Sequence, residues 1–160
     1  LEMNRKPSFD WPKNLKHKLS ILLAKSFPAW YFLFFYKQVG KNYYWTDWLR
    51  KSEDEIDEFV NDKNVLLYTL IKDGWPVGFY MLDYRKKDIC DLSFFGLVDE
   101  VIGIGLGKYL LQTAILTAWD NKKIKKLTVN TCSLDHKSAI YLYQKYGFTP
   151  VKYKDLEKTV

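Results

Sequence analysis

Residues 101–108, Val-Ile-Gly-Ile-Gly-Leu-Gly-Lys, set glycines at 103, 105 and 107 and run directly into an apolar stretch. A glycine inside a helix costs about 1 kcal/mol relative to alanine, so three at a helix entrance ask for bare backbone. Such a turn presents several N–H groups with no side chains in the way. The positive end of the helix dipole adds to them, and the two together make an anion site of the kind that holds phosphate. The spacing is not a dinucleotide fingerprint: G-x-G-x-G stands where G-x-G-x-x-G is needed, and the turn comes after the middle of the chain. Nor is it a Walker loop, which would need Ser or Thr at Tyr109 and glycine at Ile102. A ligand-free turn packed under a sheet is the other use of the same residues.

A second group able to do chemistry is Cys132, Asp135 and His136, a thiol with a base close by in sequence. His136 at a helix start also suits an ordinary solvated cap region. Cys90 and Cys132 make neither a disulfide scaffold nor a zinc site, and both sit in apolar strand-like stretches, as buried reduced thiols do. No metal ligand set is expected. Aromatic residues crowd the span from Phe27 to Trp48. Trp30, Phe34, Tyr43, Tyr44, Trp45 and Trp48 could line an apolar slot, with Asp47 or Glu53 near an incoming ammonium, or could pack a core layer.

These groups need elements to position them. Residues 1–14, with Pro7 and Pro12, read as a loose lead-in, and Leu1 and Glu2 are given no structural role. Lys18–Ala24 reads as a first strand. Pro28 opens a helix that ends at Gly40, and Ser52 with Glu55 three residues on forms a capping box for a second helix. Val65–Ile71 and Pro76–Tyr84 flank Lys-Asp-Gly-Trp, which predicts a hairpin. Asp88–Val98 is the next strand, with Gly96 marking a bulge or a close backbone approach. From Gly105 to about Asn121 apolar residues recur at helical spacing. A strand over 126–132, a helix over 135–147 closed by Gly147, and a last strand over 148–153 complete a mixed α/β sheet with flanking helices, in one domain from residue 15 to 160.

At 160 residues, 48% hydrophobic and 18% aromatic, the chain can bury a real core. Its net charge of +6 and pI near 9.1 are those of a scattered lysine surface; only Lys-Lys-Ile-Lys-Lys (122–126) is dense. Neither a nucleic-acid nor a membrane partner is expected. A basic rim that draws a polyphosphate ligand is the sharper use of that charge. Lys25 and Pro28 split the apolar segment 19–36 into pieces too short to span a bilayer, and the cytoplasm is the expected compartment.

The second half, with Leu-Gly-Lys-Tyr-Leu-Leu (106–111) followed by residues 129–151, resembles the GNAT acetyltransferase superfamily. That family carries a Q/R-x-x-G-x-G/A turn before its central helix and later an A-x-x-L-Y-x-x-x-G-F segment. Gly105 and Gly107 fill the first; Ala139, Leu142, Tyr143, Gly147 and Phe148 fill the second. The resemblance covers about residues 18 to 153. It departs at Ile102, where a basic or amide residue is usual, and at His136, where Asn is common.

The resemblance implies a mostly antiparallel sheet in an acyl-CoA N-acyltransferase fold, and acetyl-CoA as cosubstrate. Its pyrophosphate would lie on the N–H groups of Gly103, Ile104, Gly105, Leu106, Gly107 and Lys108, with Lys108 a substitute charge. Its pantetheine arm would pair with the backbone of Leu97 and Val98, and His136 would stand beside it. The reaction implied is direct transfer of acetyl to the amine of a small molecule or peptide, with Tyr143 protonating the CoA thiolate. Asp91, on a strand face with Ser93 and Phe95, is the expected base, and Glu100 is the other carboxylate within reach. A catalytically silent acyl-CoA-binding module is the alternative, and a homodimer is allowed.

Overall fold

The computed structural model describes residues 1–13, 16–131 and 138–151. Strands β1 (Glu2–Met3) and β2 (Leu19–Ala24) precede helices α1 (Ala29–Gly40) and α2 (Glu53–Val60). Then come β3 (Val65–Lys72), β4 (Trp75–Asp83), β5 (Ile89–Leu97), α3 (Leu106–Trp119), β6 (Lys126–Val129) and α4 (Ala139–Lys145). The strands form one sheet in the order β1-β6-β5-β4-β3-β2. Every pairing is antiparallel except β5 with β6, which α3 joins as a crossover. This is the mixed, mostly antiparallel sheet expected.

Local signals account for most boundaries. Ser52 Oγ accepts the Glu55 N–H at 3.2 Å and caps α2. Asp73 and Gly74, at φ 51° and 89°, close the β3–β4 hairpin with the two left-handed residues that a type I′ turn requires. Gly40 ends α1 for a different reason than a left-handed cap. The chain continues through a right-handed Lys41, and a Cβ on Gly40 would overlap the Trp45 side chain.

The period-2 alternation of β4 sends Phe79 and Met81 to one face and Tyr80 and Leu82 to the other. On the first face α1 and α2 cover an aromatic core of Phe32, Phe35, Tyr36, Phe59 and Phe94. On the second α3 packs Leu110, Leu111, Ala114 and Ile115. No described helix is long and apolar enough to cross a membrane.

Two expectations change at the β6 edge. The lead-in is not loose at its start: Glu2 and Met3 pair with Thr128 and Leu127, and Met3 is buried, its sulfur accepting the Trp119 indole N–H at 3.3 Å. An unpaired strand edge leaves N–H and C=O groups without partners, and this segment supplies them. The strand expected over 148–153 is a single bridge in the described residues, Thr149 exchanging both backbone hydrogen bonds with Glu2. Of the helix expected over 135–147, the part before Ser138 lies outside the described residues, and Gly147 closes it at φ 111°.

Candidate active site

The site begins where two strands part. β5 and β6 pair from Ile89 with Lys126 to Leu92 with Val129, and there β6 ends. β5 continues along β4 as far as Leu97. Met81 faces Phe94 and Leu82 faces Leu92, so Ser93 is an inserted residue, and the bulge bends β5 away from β6. The expected bulge is therefore three residues earlier than Gly96. Gly96 serves the other purpose foreseen for it, since a Cβ there would overlap Val39 of α1.

The Val98 N–H donates to the Val77 carbonyl at 2.8 Å. Alternation along an antiparallel ladder then turns the backbone groups of Leu97 and Phe95 away from β4, into the gap. Among the described residues Leu97 thus offers a free edge; of the backbone of Leu97 and Val98 expected to pair with the arm, the Val98 N–H is spent inside the sheet. A cavity of about 350 Å³ occupies the gap. Its lining includes Val39 of α1 with Tyr43 and Trp45 after it, and Gly103, Gly107 and Lys108 of the glycine turn and the start of α3.

The glycine turn enters α3 unobstructed. Gly103 and Gly105 have φ of 92° and 86°, a left-handed conformation that costs any other L-residue about 1–2 kcal/mol. A Cβ at either would meet nothing within 4 Å among the described residues, so none of their side chains fills the bend. Gly105 caps α3 without a side-chain acceptor, and the first turn holds no acid to compete for an anion. Leu106 is buried in the α3 core and Ile104 is exposed, so each brings only its backbone to the turn. A cradle open to solvent, with bare N–H groups at a helix start, fits a diphosphate.

The turn is held by contacts that sequence patterns did not signal. Asp99 Oδ2, just before it, accepts Asn42 Nδ2 at 2.7 Å and pairs with Lys41 Nζ at 3.6 Å, tying the end of α1 to the approach. Asn130, one residue past β6, also joins the lining, and only its position after a strand could have indicated it.

Tyr143 lies in the wall supplied by α4 with Ala139 and Leu142. Its ring stands edge-on to Phe95 at 6.1 Å and to Phe148 at 5.8 Å, and its carbonyl accepts the Phe148 N–H at 3.0 Å. The Gly-Phe end of the motif therefore fixes where the tyrosine sits. Tyr143 and the glycine turn, 36 residues apart in the chain, open on the same cavity.

Other expected residues are placed elsewhere. Asp91 does not line the cavity: its Oδ1 accepts Thr128 Oγ1 at 2.6 Å and its Oδ2 accepts Ser93 Oγ at 2.8 Å. The bulge at Ser93 breaks the alternation that would have aligned Asp91 with Phe95, so the expected base is a cross-strand latch. Glu100 is exposed outside the lining. Cys132, Asp135 and His136 lie outside the described residues. Of the aromatic set, Tyr43 and Trp45 reach the cavity; Trp48 packs on Phe32, Phe59 and Phe94; Trp30 and Phe34 point to solvent. Glu53 faces a separate groove beside Trp30, and Asp47 is exposed.

A mixed sheet that parts beside a glycine-lined helix entrance, with a tyrosine in the facing wall, defines an acyl-CoA-type acyltransferase. Residues 25–148 match the model of the Acetyltransferase (GNAT) family, and the chain belongs to that family. It is an acetyl-CoA-dependent N-acetyltransferase by that membership. No curated protein matches it. Among solved structures it is similar to a GNAT family acetyltransferase from Elizabethkingia anophelis with acetyl-CoA bound, at 24% identity and TM-score 0.63, over 84% of this chain and 78% of the other. An IAA acetyltransferase from Bacillus cereus is similar at 24% identity and TM-score 0.61, over 83% and 79%. An aminoglycoside acetyltransferase from an uncultured soil metagenomic sample, in complex with trehalose, matches at 14% identity and TM-score 0.67, over 89% and 96%.

Proposed function

We propose that this acetyltransferase moves the acetyl group of acetyl-CoA directly onto a primary amine, in the cytoplasm, with Tyr143 as the acid that protonates the departing thiolate. The observation that carries this reading is that the open glycine turn, the edge of β5 left unpaired among the described residues, and Tyr143 share one cavity. Acetyl-CoA supplies an activated thioester when bound. The N–H groups from Gly103 to Lys108 hold its pyrophosphate, and the free backbone edge at Leu97 pairs with the amides of its arm as an added strand would. A contact of His136, which lies outside the described residues, with that arm is part of the same proposal.

An amine of the lysine type has a pKa near 10.4 and must lose a proton before it attacks. In this reading that proton leaves through water at the mouth of the cavity. The Leu97 N–H steadies the negative charge that gathers on the carbonyl oxygen. The Tyr143 hydroxyl, on a ring packed edge-on against Phe95, then gives its proton to sulfur and regains one from solvent.

The test is Tyr143→Phe. Loss of a general acid slows turnover by about 100-fold or more while leaving affinity for CoA within about twofold. Turnover equal to wild type, read by thiol release with an amine that the wild type accepts, overturns the role of Tyr143.

A further inference from the structure

We infer that the acceptor is a monoamine carried on an aromatic or apolar body, selected by Trp45, and not a polycation of the aminoglycoside kind. This rests on the transferase reading above and names its substrate class. Val39, Trp45 and Phe94, which pack on the α1 face of the sheet, line the cavity together with Tyr43, and we assign the acceptor to that part of the lining. Lys108, in the first turn of α3 beside the glycine turn, is the only charged residue in the described lining. Among the described residues a polyamine would have to bring several ammonium groups against this largely apolar lining with no carboxylate to receive them, which desolvation opposes. A single amine that enters neutral, trailing a ring, meets matching surface.

The wall is built to keep its shape. The Trp45 ring packs on Tyr36 at 5.5 Å and on Phe94 at 6.0 Å, and the Trp45 N–H donates to the Gly40 carbonyl at 3.3 Å. Gly40 lacks a Cβ where the Trp45 side chain lies, so the indole is seated against the last turn of α1. A preformed aromatic surface of this kind costs little ordering on binding and sets specificity. The carboxylates of α2 do not serve this end. Glu53 and Asp57 line a separate groove with Trp30 and Leu33, and six residues of α1 lead from Leu33 there to Val39 at the cavity, about 9 Å along the helix.

The experiment measures thiol release from acetyl-CoA by the full chain with phenethylamine, tyramine, tryptamine, kanamycin and a lysine-containing peptide, alongside CoA binding by calorimetry. The expected kcat/KM for the best arylalkylamine exceeds that for kanamycin by at least about tenfold. Trp45→Ala raises its KM about tenfold with CoA affinity unchanged, and Trp45→Phe restores most of it. Thermal unfolding of each variant separates a lost wall from a lost fold. Kanamycin or the peptide used as well as the arylalkylamines overturns the acceptor class and leaves the transferase reading standing. The same follows if a folded Trp45→Ala keeps its KM. CoA binding with no release for any amine overturns the transferase reading, and this inference with it.

Discussion

Thr128 donates its hydroxyl to the Asp91 carboxylate at 2.6 Å across the one parallel strand pair, a single residue before β5 and β6 separate. Ser93 donates to the other oxygen at 2.8 Å from the bulged position itself. The carboxylate thus clamps the strands at the point where the cavity starts. Removing it strands two half-buried hydroxyls, at a cost of about 1–3 kcal/mol. Asp91→Ala is expected to lower Tm by about 4–8 °C and to weaken CoA binding. The pH profile of kcat/KM stays unchanged. A profile that loses its acidic limb while Tm holds would return Asp91 to the role of base.

Gly105 tests the turn. Its φ of 86° strains any side chain, and the space around its missing Cβ is open. Gly105→Ala therefore costs about 1–2 kcal/mol of stability through backbone strain rather than collision. It also sets a methyl group beside the N–H groups of the α3 start. Calorimetry with CoA is expected to show affinity falling by about tenfold or more, because a charged hydrogen bond to phosphate is lengthened. Unchanged affinity in a folded variant means that the turn holds no phosphate.

Gly96 and Val39 make a matched pair. A Cβ at 96 collides with a Val39 methyl group, so Gly96→Ala overpacks the contact between α1 and β5 and costs about 1–3 kcal/mol. Val39→Ala removes the obstructing methyls. In a double-mutant cycle by urea unfolding, Gly96→Ala placed on Val39→Ala is expected to cost at least 1 kcal/mol less than on wild type. Additive costs would place the strain elsewhere.

Cys90 is fully buried beneath α3, and burial pushes its thiol up to about 12. The folded pKa lies above the ordinary value, so the thiol stays neutral where the unfolded chain would begin to ionise. The stability this adds is complete below pH 9 and is lost as pH rises from there through 12. Native protein treated with iodoacetamide at pH 8 is expected to leave Cys90 unlabelled in peptide mapping, and urea-unfolded protein to label it fully. Rapid labelling in the native state refutes that burial.

What could be read along the chain is what the chain settles over a few neighbouring residues. The capping box at Ser52, the Asp73-Gly74 hairpin, the glycine entrance to α3 and the spacing from Ala139 to Phe148 each rest on backbone chemistry within a turn or two of helix or strand. They sufficed to indicate the fold, the family and the two ends of the site. The rest depends on segments far apart in sequence. Whether Asp91 faces the cavity or a threonine 37 residues away, which aromatics reach the gap, and where the first three residues go are decided by strand register and by competition for one sheet edge. A one-residue bulge reverses a side chain's face, and no local pattern at Ser93 announces it.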